Sequence, residues 1–340
     1  MKLKSILSVL ALGALFAAPA YAAPIEMNFQ SAWSPAQKQN AEAIVPWAES
    51  FEKASNGDMK MHVFFAGGLV EANALVDSIK SGMVDAGGWV MTDYKQMPYV
   101  FMTGLPYIMK DQAHAYRVVH KFLEEVPEFK AEVESVGVFL SGASSAPFMI
   151  ASREVPIHTP ADIKGKRVLY WAPTFAEYIE AWGGIPVQVA PGDIYVGLQR
   201  GMGEMFLCGV SCVKGARVQE FCKYATALEM ASSGLFPYSM NRELFEKDMT
   251  DEQRKLTMEL SKDLGKRVLD SFLKDVEGAY AEFEAAGCKV IRLNQDELAL
   301  FAKDAQEYII PKIERKAKEA GVADPHAVVE KYVKIAASVE

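Results

Sequence analysis

Apolar positions along the chain change period repeatedly, and each change marks an element. Glu26 to Ala32 reads as a short strand. Ile44, Trp47, Ala48 and Phe51 then recur at i, i+3, i+4 and i+7, one face of a helix that Asn56-Gly57 ends. Lys60 to Phe65 is a second strand, and the helix after it buries Ala72, Leu75, Val76 and Ile79 and stops at Gly82. Val84 to Val90 begins a third strand. This strand and helix alternation predicts a largely parallel sheet with helices on its faces.

Val136 to Ser145 and Phe148 to Ser152 are further strands, and the turn-rich run Pro156 to Pro160 marks a change of lobe. A second α/β series follows. Arg167 to Tyr170 is a strand, and Phe175, Tyr178, Ile179 and Trp182 form one face of a helix closed by Gly183-Gly184. Pro186 to Val189 is a strand, and Ile194 to Arg200 a short helix ending at Gly201. Thr250 with Gln253 makes a capping box for a helical pattern that runs without Pro to Ala286, long enough at ~1.5 Å per residue to reach roughly 50 Å as one helix or a helix pair. Lys289 to Leu293 is a late strand, Asn294 and Glu297 cap another helix, and Asp324-Pro325 starts the last. The fold class is α/β in two lobes. Residues 23–147, completed by part of 235–293, form the first; residues 148–234 form the second; long helices in 250–340 brace both.

The first residues change the picture of where this chain works. Lys2 and Lys4 precede an apolar run from Ile6 to Ala18, and Ala20-Tyr21-Ala22 is a small-x-small cleavage site, so residues 1–22 read as a signal peptide removed before Ala23. The run is shorter than the ~20 residues of a membrane-spanning helix. Losing Lys2 and Lys4 takes the formal charge from −8 to −10, and no block of cations remains to neutralise a row of phosphates, which excludes nucleic acid as a partner. Four cysteines follow: Cys208, Cys212, Cys222 and Cys288. Cys208 and Cys212 are near enough in sequence to pair in an oxidising compartment if a turn lies between them, although spacing fixes no connectivity. A lone C-x3-C lacks the four ligands of a structural zinc site.

The sequence carries no catalytic or cofactor motif of the usual kinds. There is no G-x-S-x-G, H-E-x-x-H, G-x-x-x-x-G-K-[ST] or strand-borne G-x-G-x-x-G. His114 and His120, six apart on a predicted helix, point to different sides of it and read as surface or cap residues. Glu124, Glu125, Glu128 and Glu132 share a helix with Lys121 and Lys130, which reads as a solvated face with nothing apolar to shift a pKa. Binding without catalysis is what remains; an exported enzyme on the same fold, or a scaffold without a ligand, are the readings from other classes.

Several segments together resemble one family. They are Gly57 to Leu69 (GDMKMHVFFAGGL), Ile79 to Asp85, Gly104 to Tyr107, Val155 to Gly165 (VPIHTPADIKG), Gly183 to Val187, Asp193 to Gly201 and Ala286 to Val290. In this order and spacing the mature chain resembles the DctP-type solute-binding proteins of tripartite ATP-independent periplasmic (TRAP) transporters. The resemblance implies a type II-like periplasmic binding protein, two α/β lobes closing on a small solute. It also implies a periplasmic location, no cofactor, and delivery to small and large integral membrane permease subunits.

Most such receptors bind organic acids, and the resemblance implies a two-toothed arginine for the solute carboxylate just after the lysine-glycine turn. Aligned on Asp162 to Gly165, that position falls at Leu169. A second arginine position falls at Met149 and an asparagine position near Cys208, where the family's V-D-G reads Gly203-Glu204-Met205. A carboxylate desolvated without a cation costs several kcal/mol, whereas a neutral solute or an amine avoids that penalty, and a cation over an aromatic ring gains ~0.5–2 kcal/mol. The expected solute is therefore neutral, amine-bearing or aromatic, in a cleft walled by Trp33, Trp89, Met149, Leu169, Trp171 and Cys208, with Asp93 or Glu204 facing an amine. The alternative within the same class is an organic acid, carboxylate or sulfonate, held by Arg167 or Arg153.

Overall fold

The computed structural model describes residues 24–31, 38–65, 67–89, 95–144, 147–171, 173–190, 193–210, 217–229 and 234–340. The first sheet contains β1 (Ile25–Ser31), β2 (Met59–Phe65), β3 (Ala86–Gly88), β4 (Val138–Ser144) and β10 (Leu235–Met240), in the order β2-β1-β3-β10-β4. The second contains β5 (Phe148–Ser152), β6 (Arg167–Tyr170), β7 (Ile185–Gln188), β8 (Met205–Gly209), β9 (Tyr224–Glu229) and β11 (Lys289–Arg292), in the order β11-β9-β5-β8-β6-β7. The return to the first sheet expected from the segment 235–293 is made by β10, while β11 adds to the second sheet beside β9.

Helices α1 (Val45–Ala54), α2 (Leu75–Ser81), α3 (Pro98–Met102), α4 (Gln112–Glu125) and α5 (Pro127–Glu134) belong to the first lobe, and α6 (Pro173–Ala181) and α7 (Ile194–Gln199) to the second. The helical faces read from the sequence are buried: Trp47, Ala48 and Phe51 on α1, and Phe175, Tyr178 and Ile179 on α6, with Trp182 just past its end. Gly82 closes α2 in the left-handed region at φ 75°, a backbone that glycine enters without a Cβ penalty. Strand β3 is shorter than the apolar run predicts, and its glycine lets the neighbouring strand's side chain close in: a Cβ on Gly88 would stand 2.6 Å from the Tyr238 ring.

The long pattern after Thr250 is two helices, α8 (Asp251–Ser261) and α9 (Leu264–Ala285), with the Thr250 and Gln253 capping box in place. The interruption falls where α9 meets β4. The Gly265 N–H donates to Ser141 Oγ at 2.9 Å, and a Cβ on Gly265 would lie 2.0 Å from the Gly142 carbonyl oxygen. So close an approach docks the start of α9 on the strand instead of on another turn of helix. Helix α9 then joins the lobes. Leu264, Val268 and Phe272 pack in the core against β1 and β10, whereas Val276, Ala279, Tyr280 and Phe283 pack in the core beneath the second sheet. Each such fully buried side chain contributes about 1.5–3 kcal/mol.

Helix α10 (Gln295–Glu319) is the second brace, and α11 (Pro325–Ser338) packs on it and on α4. The Trp182 indole N–H donates to Phe301 O at 3.2 Å, Lys316 pairs with Glu177 at 2.8 Å, and Gln306 Nε2 donates to Pro106 O at 3.1 Å. One helix thus holds α6 of the second lobe and the loop after α3 of the first. His114, expected at the surface, is buried: its Nδ1 accepts from the Lys110 N–H at 3.1 Å and its Nε2 faces Ala336 O at 3.0 Å, tying α4 to α11.

Candidate functional site

Strand direction locates the cleft. In the first sheet β1, β2 and β3 are parallel, and β4, two antiparallel steps from β3, runs the same way. In the second sheet β6, β7 and β8 are parallel, and β5 is antiparallel to β8, so the start of β5 lies at the edge where β6, β7 and β8 end. The chain passes from the carboxyl end of β4 at residue 144 to Phe148 through three residues, a span of at most ~14 Å. The carboxyl edges of both sheets are therefore brought together, which is where open α/β sheets bind ligands. Glu229, the last residue of β9, and Leu235, the first of β10, make the second crossing at the same edge.

Three of the expected wall residues meet. Met149 pairs with Cys208 across β5 and β8, Leu169 pairs with Phe206, and all are fully buried in one cluster with α7 and α9. Trp171, one residue beyond β6 at the cleft edge, closes over this cluster while remaining partly exposed, and its indole N–H donates to Cys208 Sγ at 3.2 Å. The ring continues into an aromatic train: Trp171 meets Phe175 edge-on at 5.9 Å, and Phe175 meets Phe148 at 4.8 Å. Trp89 follows β3 at the matching edge of the first sheet. It is fully buried there, its indole N–H donating to Ser239 Oγ at 3.0 Å. Trp33, Asp93 and Cys212 lie outside the described residues, and with Cys212 the pairing expected for Cys208.

The arginines held in reserve stand at the other end of the sheet. Arg167 opens β6, about 13 Å of strand away from Trp171, and donates from Nη2 to Gly201 O at 3.2 Å. Arg153 follows the last residue of β5 and donates from Nη1 to Leu198 O. Glu204, suggested as an amine partner, is occupied at this same end: its carboxylate accepts from the Arg167 N–H at 2.8 Å and pairs with Lys166 at 3.6 Å. Neither arginine nor Glu204 faces the cleft edge.

Two residues that the sequence reading missed do lie on the cleft side. Tyr107, in the loop after α3, has φ 55°, and its buried phenol oxygen finds no hydrogen-bond partner among the described residues. Glu229 has φ 38° and sits opposite Phe148 where the register of β5 and β9 shifts. Left-handed backbone at non-glycine residues is strained and concentrates where a structure over-determines it. Burial chiefly, then Tyr178 and the Glu229 carboxylate, push the Tyr107 phenol well above its usual range. Burial and then Glu229 do the same to Tyr280. Glu229 thus stands near enough to act on phenols of the first lobe's loop and of α9, and it makes no ion pair among the described residues. No periodicity marks such residues; the sequence signal was a lone acid ending an apolar strand.

The acidic face of α4 and α5 also needs correction. Glu132 is partly buried and accepts from the Tyr99 and Val100 N–H groups, at 3.0 and 2.7 Å, at the start of α3. Burial outweighs those two bonds and raises its carboxyl to about 7. Among the described residues no cluster of His, Cys, Asp and Glu is suited to hold a metal ion, and no helix is long and apolar enough to cross a membrane.

Two α/β lobes with facing carboxyl edges, joined by two strand crossings and braced by helices, define a two-lobed solute receptor. The comparisons agree: the chain belongs to the DctP family, bacterial extracellular solute-binding protein family 7, whose model matches residues 29–316. It is 25% identical over 263 residues to a solute-binding protein of Albidiferax ferrireducens, covering 73% of each chain. Its fold is that of a marine metagenome TRAP solute-binding protein described as specific for aromatic acid ligands and solved with 3-hydroxybenzoate. The TM-score is 0.79 at 20% identity, covering 94% of this chain and 100% of the other. A Rhodoferax ferrireducens T118 TRAP solute-binding protein with copurified benzoate gives a TM-score of 0.76 at 17% identity, covering 92% and 98%. The family and fold expected from the sequence are borne out.

Proposed function

We propose that the protein is the periplasmic receptor of a TRAP transporter and takes a small solute with an aromatic or other apolar body and a neutral or amine head, delivering it unchanged to the membrane permease subunits. The observation that carries this reading is the fate of the three polar clamp positions. Met149, Leu169 and Cys208 are fully buried together beneath Trp171, apolar side chains where the resemblance implies polar ones, and the arginine at this edge, Arg292, stacks on the Tyr280 ring at 4.7 Å and pairs with Glu277. Trp171 offers the solute a ring face, and Glu229 is the residue we assign to an amine head, in place of Glu204. An ammonium against a carboxylate and aromatic rings gains from charge and from the ring quadrupole together. Closure of the lobes about the solute creates the surface that the permease reads.

A second reading, an aromatic acid, has a specific observation behind it: the two solved neighbours named above hold 3-hydroxybenzoate and benzoate. It needs a cation at the cleft, and Arg167 and Arg153 are engaged at the opposite end of the sheet. Calorimetric titration with benzylamine, benzyl alcohol and benzoate separates the two. The proposal expects the amine or the alcohol to bind and benzoate to bind at least tenfold more weakly; benzoate as the tightest of the three overturns it. Recovery of the bound solute unchanged, by mass spectrometry, checks that the protein is a receptor and not an enzyme.

A further inference from the structure

Two thiols that the cleft does not use lie together at the far side of the second lobe. Cys222 precedes β9 and Cys288 precedes β11, and these strands pair in parallel with Tyr224 opposite Lys289. The Lys289 N–H donates to Lys223 O at 2.8 Å, so the backbones are already in contact at the cysteines. Both are free thiols in this structure, just ahead of strands that neighbour one another at about 4.8 Å, a separation within which disulfide-bonded Cα atoms commonly lie. Both side chains are turned into one pocket of the core with Val218, Tyr280 and Phe283, 7% and 5% exposed. The Cys288 Sγ lies 2.8 Å from Cys222 O and 3.4 Å from Gln219 O.

We propose that Cys222 and Cys288 form a disulfide in the mature protein, clamping the start of β9 to the turn between α9 and β11. The inference rests on the periplasmic reading for its oxidant, a disulfide-donating thiol oxidoreductase of that compartment, and oxidised glutathione substitutes for it in solution. The thiolate of one cysteine attacks the donor disulfide, releasing one donor thiol and leaving a mixed disulfide. The second cysteine displaces the other donor sulfur. The pair loses two electrons and two protons, and the donor gains them as two thiols. In the folded lobe, burial, helped by Cys288, pushes the Cys222 thiol up to about 12, so the exchange belongs to folding, before the core closes. The bond closes a loop of 66 residues that includes β10, α8 and α9 and so ties the second sheet to the helix shared by the lobes.

The test is peptide mapping by mass spectrometry, with free thiols blocked by iodoacetamide under denaturing, non-reducing conditions. It is applied to protein exported to the periplasm and, separately, to cytoplasmic protein refolded from denaturant in a glutathione redox buffer. A linked pair of peptides carrying Cys222 and Cys288 in the refolded sample supports the pairing whatever the compartment. Its presence in the exported sample supports the proposal for the mature protein, and its absence there overturns it, whatever refolding in the glutathione buffer produces. Alkylation of both thiols in the refolded sample, or a Cys208–Cys212 or Cys208–Cys222 link in its place, overturns the proposal. Reduction is expected to lower the folded-to-unfolded ratio on the order of a hundredfold in the natural protein. In C222A/C288A reduction changes nothing; a full reduction effect in that double variant also overturns the assignment.

Discussion

The two ends of strand β6 carry opposite chemistry. At its start, Arg167 and Lys166 are matched with Glu204, and carbonyl oxygens at Gly201 and Leu198 take guanidinium donors, so these charges have partners in contact with water. At its end, Leu169 and Trp171 close an apolar cluster, and the charged group nearest the lobe crossing, Glu229, has no ion pair among the described residues. The difference teaches where function is stored. Satisfied ion pairs at a solvated edge contribute little and hold a turn; the orphaned, buried phenol of Tyr107 at the lobe boundary is a cost that a bound partner removes.

The largest effect that breaks or sharpens this contrast is expected from Leu169→Arg, which restores the residue that acid-binding relatives are expected to show. Leu169 is fully buried against Gly197 and Gly203, with its Cγ 2.7 Å from where a Cβ on Gly203 would be. A guanidinium there lacks both room and a counter-charge, and we expect a loss of about 3–5 kcal/mol in chemical denaturation. Unchanged stability with new affinity for benzoate would show that this position faces the solute.

A carboxylate elsewhere in the molecule measures what desolvation without a cation does. Glu132 has two backbone N–H donors, yet burial raises its carboxyl from the ordinary 4.5 to about 7. An acid whose pKa is higher in the folded protein binds its proton more tightly there, so its share of stability is full below about 4.5 and is lost as pH rises through about 7. Taking the pH from 5 to 8 is expected to lower stability by about 2 kcal/mol through this group, discounted for its remaining exposure. In Glu132→Gln that part of the slope disappears; an unaltered pH profile in the variant would refute it. A solute carboxylate against Leu169, with neither N–H donors nor a cation, would be worse placed than Glu132.

Much of this architecture is written in periodicity. The i, i+3, i+4, i+7 faces of α1 and α6, the capping boxes at Thr250 and Asn294, and the glycine stops at Gly82 and Gly201 are local, so the sequence displays them directly. The break between α8 and α9 is not local. It depends on Gly265 meeting Gly142, 123 positions earlier in the chain, and no window of sequence contains both. The site divides in the same way. The resemblance placed clamp positions at Leu169, Met149 and Cys208, whereas the pairing of Met149 with Cys208 across β5 and β8 is seen only in the fold. Glu229, Tyr107 and the Glu132 cap emerge only when distant segments meet, and a count of charges on α4 and α5 missed the N-terminus of α3 that Glu132 covers.

Trp171→Ala comes next in size. The substitution removes the ring that covers the Met149 cluster and its N–H bond to Cys208, and with them the open aromatic face at the cleft. Solute affinity is expected to fall by about 1–2 kcal/mol, roughly tenfold or more, by calorimetry with the solute the protein prefers. Glu229→Gln is expected to match that loss for an amine and to leave a neutral solute unaffected; equal losses for both would assign Glu229 to the hinge and not to the head group.

The smallest effect carries the sharpest discrimination. Arg167 is more than half exposed, its partners Glu204 and Gly201 O are solvated, and such pairs are worth ~0–1 kcal/mol. Arg167→Ala should therefore change stability by less than about 1 kcal/mol and leave solute affinity within twofold, because the side chain sits a full strand length from the cleft edge. If Arg167 instead bends back to grip an acid, the same substitution removes a bidentate pair, and affinity for a carboxylate falls by a hundredfold or more, on the order of 3 kcal/mol. A surface arginine and a ligand clamp differ in this measurement by two orders of magnitude, so one titration of one variant decides which end of β6 meets the solute.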